Sequence, residues 1–439
     1  MSSDHRPTVV IVGAGFAGIA AARGLRGAPV DVVIVDRVNH HTFQPLLYQV
    51  ATAGLSAPQI AAPIRYILRS QKNVRVLLGE AVAVDAVKNR LVLSDGEIAF
   101  DYLVVATGLT HSYFGNDAWA PHAPGLKTLD DALEMRRRIL IAFERAERID
   151  DPDERAQWMT FVIIGGGPTG VELAGTMAEI ARHTLTNEFD AIDPAQSRVL
   201  LLEGGNRVLN TYPESLSAKA LQQLQRLGVE VRVHAHVVGV DASGVSFESG
   251  TKVADGPAIE RIDARTVLWA AGVQATALAR TLSGPHDRAG RIHVTPTLQI
   301  EQVPAIYVVG DLALLMQDGK QVPGVAYAAK QMGAYAARAI GSRVADGDSA
   351  SSLAPFRYRD RGSLATIGRK SAVAVFPFGL RLSGLLAWWT WLLVHIFFLI
   401  GFRNRLTTLV DWMLAYITHQ RHARLILNDD ATHSRTGGN

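Results

Sequence analysis

The 439 residues contain no cysteine. That absence removes disulfide frameworks, thiolate metal sites, iron–sulfur clusters and any mechanism that uses a redox dithiol. Charge is scarce as well: 19% of the residues are charged and 48% are hydrophobic, a balance that excludes disorder for most of the chain. The opening MSSDHRPT lacks a basic start, an apolar core and a cleavage site, so the expected setting is a chain that folds in the cytoplasm. With no zinc-finger spacing and no RNA-binding aromatic motif, a nucleic-acid partner is not expected. His40 and His41 are adjacent but have no acids or further histidines at ligand spacing nearby. Both read as structural, and no metal site is expected.

What is present begins with size: a chain of this length supports two or three domains with large buried cores. The net charge of +3 is unevenly spread. From Phe356 to Asn428 ten Arg and Lys face two Asp, a local charge of +8, which leaves −5 for the rest. A basic, tryptophan-rich tail on an acidic body points to a membrane surface.

One device occurs twice. VVIVGAGFAGIAAARGL runs from Val9 to Leu25, and FVIIGGGPTGVELAGTM from Phe161 to Met177. Each is a strand-like apolar run, a GxGxxG cluster and a helix-like stretch, the context in which the glycine pattern signifies a dinucleotide site. In the first copy Gly13 permits the turn, Gly15 admits a pyrophosphate and Gly18 lets the helix lie close to the strand; Phe16 and Ala17 lie between them. Gly165, Gly167 and Gly170 repeat these roles, with Pro168, Thr169 and Val171 at the start of the second helix. The following strands end in acids, VDVVIVD at Asp36 (then Arg37) and RVLLLE at Glu203. A carboxylate there accepts hydrogen bonds from an adenosine ribose, and at Glu203 it disfavours a 2′-phosphate, so NADH is expected over NADPH. Arg207 lies near enough to leave that preference unsettled.

Two dinucleotide sites in one chain imply one resident dinucleotide and one that exchanges. A flavin suits the resident role, because it takes a hydride as a pair and passes electrons on singly or in pairs.

Seven further stretches carry a resemblance. FDYLVVATGLT (Phe100 to Thr110), TVLWAAG (ending at Gly272) and AIYVVGDLA (Ala305 to Ala313) resemble segments of the two-dinucleotide-binding-domain flavoproteins. NHHTFQPLLYQVATAGL (Asn39 to Leu55), TYPESLS (Thr211 to Ser217), LATIGRKSAVA (Leu364 to Ala374) and GFRNRLTTLVDWMLAYIT (Gly401 to Thr418) narrow the match. Together they resemble type II NADH dehydrogenases, single-subunit NADH:quinone oxidoreductases, from about Val9 to about Thr418. The resemblance implies an α/β fold of two Rossmann-like, glutathione-reductase-like domains with a C-terminal helical membrane-attachment segment. It also implies non-covalent FAD in the first site, NADH as co-substrate in the second and a membrane quinone as acceptor.

The same resemblance assigns residues. Thr107, Gly108, Gly310 and Asp311 join the flavin site, Gln44 and Pro45 approach it from their loop, and Ala271 and Gly272 join the nicotinamide side. Glu172, in the first turn of the second helix, is placed near the nicotinamide; in that position it also complements the helix dipole. Gln331 is expected at the quinone. Tyr327 stands where the family commonly has glutamine, and the segment GVAYAAKQMGAYAAR also reads as an alanine-rich helix with a small-residue packing face. Hydride transfer needs little acid–base chemistry, only stacked rings at near-attack distance.

LLAWWTWLLVHIFFLIGF, from Leu385 to Phe402, carries no formal charge. Leaving its large side chains wet would cost on the order of 20 kcal/mol, so lipid, a partner subunit or the protein's own core must cover it. Its length is close to the ~20 residues of a spanning helix. Leu406, Leu409, Val410, Met413 and Ile417 then recur at helical spacing before His419, Arg421, His422 and Arg424, as in an amphipathic surface helix. In-plane attachment through residues 385–424 is preferred to spanning, a homodimer is compatible with it, and proton pumping is not expected. The expected location is the cytoplasmic face of the cell inner membrane, peripheral or monotopic.

The expected domains are 1–118 with 288–346 for FAD, 119–287 for NADH and 347–439 for membrane attachment. A sulfide:quinone oxidoreductase shares this plan but works through cysteine. A soluble NAD(P)H-dependent reductase of another acceptor would not need Leu385 to Phe402, and a low-turnover flavin-binding redox sensor stays open.

Overall fold

The computed structural model describes residues 6–253, 256–346, 354–418, 421 and 423–426. The chain divides into two compact units, the first built from Met1–Thr42, Ala61–His111 and Val273–Arg361. Its sheet runs in the order Gln299–Ile300, Val303–Val308, Tyr102–Val105, Thr8–Val12, Asp31–Asp36, Val74–Leu78, parallel except at the first pair. The inner strands are continuous apolar runs because both faces are covered; Val9, Val10 and Ile11 are wholly buried. Helix Phe16–Gly24 packs on helix Ala326–Asp346. Small residues set that spacing: a Cβ on Gly24 would come 2.6 Å from the Ala337 Cβ, and one on Gly333 would overlap the Ala17 carbonyl. The alanine-rich stretch is thus a close-packing face.

The second unit comprises Phe43–Ile60, Ser112–Gly272 and Gly362–Asn439. Its parallel sheet has the order Val229–Arg232, Arg198–Leu202, Thr160–Ile164, Thr266–Trp269. The return strand, first strand, second strand and third strand thus follow the same order as in the first unit. Each unit also carries a three-stranded antiparallel sheet, at Ala81–Asp85, Arg90–Leu93 and Gly96–Ala99 in the first and at His236–Asp241, Gly244–Val253 and Gly256–Asp263 in the second. Trp269 packs with Tyr113 and Val267 in the second unit's core.

The C-terminal part of the second unit opens with the antiparallel strands Ser363–Gly368, Ser371–Val375 and Arg381–Ser383. Helix Leu385–Phe398 packs on this small sheet, burying Ala387, Trp388, Trp391, Leu392 and His395. The chain breaks at Leu399 to Gly401, where Gly401 has φ +89°, and resumes as helix Phe402–Thr418. The uncharged run is therefore cut into a 14-residue helix of roughly 21 Å, short of a hydrocarbon core of ~30 Å. Among the described residues no helix is long and apolar enough to cross a membrane. His419 and His422 lie outside the described residues.

Helix Pro168–Glu179 meets the strand Ser363–Gly368 through Gly175, whose added Cβ would overlap the Ile367 carbonyl oxygen. Backbone cannot yield as a side chain can, so Gly175→Ala is expected to destabilise the protein by about 3 kcal/mol. Denaturant unfolding of the two proteins side by side measures it; a change below about 0.5 kcal/mol would show that the contact is slack.

Candidate functional site

The two glycine turns have the same geometry. Gly13 and Gly165 adopt φ +96° and +107°, and their N–H groups donate to Val35 O (2.8 Å) and Leu202 O (2.7 Å) of the neighbouring strands. A Cβ on Gly13 would lie 2.5 Å from Ala106 O, and one on Gly165 2.8 Å from Ala270 O. Side chains at Gly18 and Gly170 would overlap the carbonyls of Gly13 and Gly165. Gly15 and Gly167 are the N-caps of their helices, with φ −69° and −71°. A Cβ at either meets nothing within 4 Å, so both helix N-termini open onto free space that an anionic group can enter.

Each second strand delivers its acid to the turn. Asp36 Oδ2 accepts from Ala14 N–H at 2.6 Å and Oδ1 from Val38 N–H at 3.0 Å. Glu203 Oε2 accepts from Gly166 N–H at 2.5 Å and Oε1 from Gly205 N–H at 2.6 Å. The difference between the motifs follows from side-chain length. Glutamate reaches so far over the turn that a Cβ on Gly166 would stand 2.8 Å from its Oε2, so the longer acid requires glycine where the shorter one tolerates Ala14. Each carboxylate keeps lone pairs for a ribose hydroxyl. These residues fit a dinucleotide in each unit. Arg207, which left the nucleotide preference unsettled, donates to the carbonyls of Tyr212 (2.9 Å) and Asn210 (2.7 Å), and is committed to its own loop.

The remaining candidates distribute as follows. Gly108 and Gly272 take φ +65° and +68° at the ends of the return strands. Thr107 Oγ1 accepts from Thr276 Oγ1 at 3.3 Å, and Ala271 packs against the second unit's core. Gly310 lies 3.4 Å (as a built Cβ) from Ala17 Cβ, and Asp311 packs against Gly324. Phe16 and Ala17 are buried, as are Val171 and Gly170, while Arg37 and Pro168 are exposed and Thr169 half-buried. Gln44 and Pro45 belong to the second unit, where the Gln44 amide donates to Lys127 O at 3.2 Å.

Glu172 is half-buried, and desolvation pushes its carboxyl well above the usual range, against a hydrogen bond from Thr366 N–H. Gln331, expected at a quinone, pairs with backbone. Its Nε2 donates to Arg359 O and its Oε1 accepts from Arg359 N–H, both at 3.0 Å, the pairing of a strand neighbour. Gln317 clamps Tyr358 in the same way, at 3.3 and 2.7 Å. Tyr327 accepts at its hydroxyl from Arg361 Nε at 3.1 Å.

Several connections were not visible in the sequence. Glu179, buried at the end of helix Pro168–Glu179, is paired with Arg421 at 3.5 Å and accepts from the Arg369 N–H; burial raises its carboxyl. Arg424 pairs with Glu188. Two cations of the basic tail are thus spent inside the protein. Gln59 Nε2 donates to Asp411 Oδ2 (2.6 Å), Trp412 Nε1 to Gln49 Oε1 (2.8 Å) and Arg421 to Thr52 O (2.8 Å). The stretches that begin at Asn39 and at Gly401 meet here, through Gln49 and Trp412. The outer surface is apolar: Leu386 is 68% exposed, Leu393 64% and Phe397 68%, and Leu406, Leu409, Val410 and Met413 are exposed too.

Comparison with known proteins agrees with this fold. The family model described as pyridine nucleotide-disulphide oxidoreductase matches residues 7–333, and that of the NDH2 C-terminal domain matches 361–421. A type II NADH:quinone oxidoreductase, Ndh, of Mycobacterium tuberculosis is 44% identical over 99% of this chain and 95% of its own length. A second, NdhA, from the same organism is 43% identical over 95% and 88%. Among solved structures, NDH2 from Plasmodium falciparum in complex with NADH superposes with a TM-score of 0.86 at 19% identity, covering 97% of this chain and all of that one. Sulfide:quinone oxidoreductase from Aquifex aeolicus gives 0.72 at 17%, covering 91% and 92%; at these identities the likeness is one of fold.

His395 generates a prediction. Burial pushes its imidazole from 6.5 down to about 4, despite a hydrogen bond with Trp391 O at 2.7 Å. A folded-state value below the unfolded one means the neutral ring is favoured, so its contribution is present above about pH 6.5 and is lost as pH falls toward 4. Wild type minus His395→Asn in unfolding free energy is expected to shrink by about 3 kcal/mol across that window. Denaturant titrations at pH 7.5 and 4.5 measure it, and a pH-independent difference would refute it.

Proposed function

Because the chain belongs to the pyridine nucleotide-disulphide oxidoreductases and, within them, to the type II NADH dehydrogenases, we propose that it is an FAD-dependent NADH:quinone oxidoreductase that pumps no protons. The observation that carries this reading is the presence of two congruent glycine turns, each with its own carboxylate, in one chain that ends in an apolar module. The family is named for disulphide chemistry, but a chain with no cysteine has no route to it, nor to the cysteine-based oxidation of sulfide. A quinone fits as acceptor because it needs only an electron pair and protons.

In this reading the first cradle (Gly13, Gly15, Phe16, Ala17, Gly18, Asp36 and Arg37, with Thr107, Gly108, Gly310 and Asp311) holds FAD. The second, Gly165 to Val171 with Glu203, Ala271 and Gly272, binds NADH. A bound flavin supplies a centre that accepts a hydride and releases the pair to a second substrate. The chain's own task is to place the two nucleotides. The helix N-termini at Gly15 and Gly167 hold the pyrophosphates, while Asp36 and Glu203 hold the riboses. Gln44 and Pro45 are assigned to flavin binding. Glu172, whose carboxyl burial pushes toward the protonated form, is assigned a place beside the nicotinamide, where a less charged group opposes the transfer of a hydride less than a full carboxylate would. Tyr327 and Gln331 are assigned to the quinone side; given its two bonds to Arg359, Gln331 acts there by fixing the backbone of that segment.

The exposed apolar faces of helices Leu385–Phe398 and Phe402–Thr418 are assigned to in-plane attachment at a lipid surface, on the cytoplasmic face of the cell inner membrane, where NADH is available. Covering ten half-exposed large side chains is worth on the order of 10 kcal/mol, comparable with the net stability of a domain. The exposed Arg381, Arg403 and Arg405 suit anionic headgroups. A second copy of the chain can occupy the same faces in detergent-free solution.

Purified protein is expected to show a flavin spectrum and to oxidise NADH rapidly only when a quinone is supplied. Absence of a flavin spectrum, or NADH oxidation indifferent to quinone, would overturn the assignment. Glu203→Gln removes the charge that opposes a 2′-phosphate while keeping the side chain's length. Its preference for NADH over NADPH in kcat/KM is expected to fall about tenfold, chiefly through a lower KM for NADPH. An unchanged ratio would remove Glu203 from the discrimination.

A further inference from the structure

We propose that His41 is a positioning residue of the first cradle, which holds the Ala14 carbonyl and thereby aims the Gly15 N–H at the dinucleotide pyrophosphate. The proposal rests on the reading that this cradle holds FAD. Its basis is a wiring that the two cradles share and the glycine pattern does not show. In each, the residue between the first two glycines is pinned from both sides. Its N–H donates to the acid: Ala14 to Asp36 at 2.6 Å and Gly166 to Glu203 at 2.5 Å. Its carbonyl accepts from a fixed donor: Ala14 O from His41 Nδ1 at 2.8 Å, and Gly166 O from Leu209 N–H at 2.7 Å. In a trans peptide the C=O and the next N–H point in opposite directions. Tying down the carbonyl therefore turns the N–H of Gly15, or of Gly167, the other way, and these are the N-cap residues on which a phosphate would settle.

The two donors differ in kind. Leu209 supplies a backbone N–H from a residue at φ +50°, a group no substitution short of proline removes. The first cradle uses a side chain instead. His41 is 2% exposed, with its ring edge-on to Phe16 at 5.0 Å and 85°. Since Ala14 O can only accept, Nδ1 carries the proton, and Nε2 is left as a bare lone pair, buried and without a hydrogen-bond partner among the described residues. A residue present only to fill space would be leucine or phenylalanine, which leave no nitrogen stranded. The stranded Nε2 is offset by what Nδ1 does. The histidine that reads as structural in the sequence is structural in a specific sense: it sets the direction of one peptide group.

The test compares side chains that do and do not place a donor at that point. Asparagine carries its amide nitrogen at the same distance from the backbone as Nδ1; glutamine carries it one bond further; leucine has none. The full-length chain is stripped of FAD and titrated with FAD by fluorescence quenching. His41→Asn is expected to bind within about threefold of wild type, and His41→Leu and His41→Gln about tenfold more weakly or worse. At saturating FAD the KM for NADH is expected to be the same in all, because the second cradle uses Leu209. Equal FAD affinity in His41→Leu and His41→Asn would overturn the proposal. Should His41→Leu fail to fold, His41→Gln takes its place in that comparison, with equality again the overturning result. If wild type itself binds no FAD, it is the assignment of the cradle that falls.

Discussion

Both glycine turns depend on a steric constraint at the backbone: the first glycine of each turn has room for a hydrogen and nothing more. Gly13 and Gly165 hold positive φ and press against the carbonyls of Ala106 and Ala270. That approach brings the return strand beneath the turn and fixes the direction in which the helix departs. The third glycine then sets the helix onto the first glycine's own carbonyl. With the backbone so placed, the acids Asp36 and Glu203 reach the turn amides without strain, and each helix N-terminus is left open. Side-chain chemistry enters only after this geometry is complete, which explains why two turns with different acids share it.

The C-terminal module is joined to the second cradle's helix more closely than a simple attachment device requires. Thr366 N–H meets Glu172 in the first turn of helix Pro168–Glu179, Ile367 packs on Gly175 in its middle, and Arg369 and Arg421 hold Glu179 at its end. One face of this helix is thus lined by the module along its whole length. Breaking the Glu179 pair by removing Arg421 would leave a buried carboxylate uncompensated, the costly way to lose an ion pair. Helix Pro168–Glu179 and the apolar helices therefore belong together within the second unit, while Leu386, Leu393, Phe397, Leu406 and Met413 remain exposed.

Gln317 and Gln331 both use their side-chain amides on the backbone of one segment. An amide side chain has the donor and acceptor of a peptide group, so at an exposed backbone segment it can stand in for a missing strand. Here two of them hold Tyr358 and Arg359.

The sequence by itself determined the repeated strand–turn–helix, the acid at the end of each second strand and the apolar character of the C-terminal run, because these follow from local steric limits and from side-chain periodicity. It determined the exclusion of thiol chemistry outright. Only the tertiary structure decided which atoms meet across long separations: that Arg207 is consumed by its own loop, that Arg421 and Arg424 turn inward, that Gln331 grips a backbone, and that His41 serves Ala14. It also decided that the uncharged run breaks at Gly401 and stops short of a bilayer's width. The physical reason is the same throughout. Periodicity and glycine spacing record what a residue does to its neighbours in the chain, whereas hydrogen-bond partners and ion pairs are set by packing between segments tens to hundreds of residues apart.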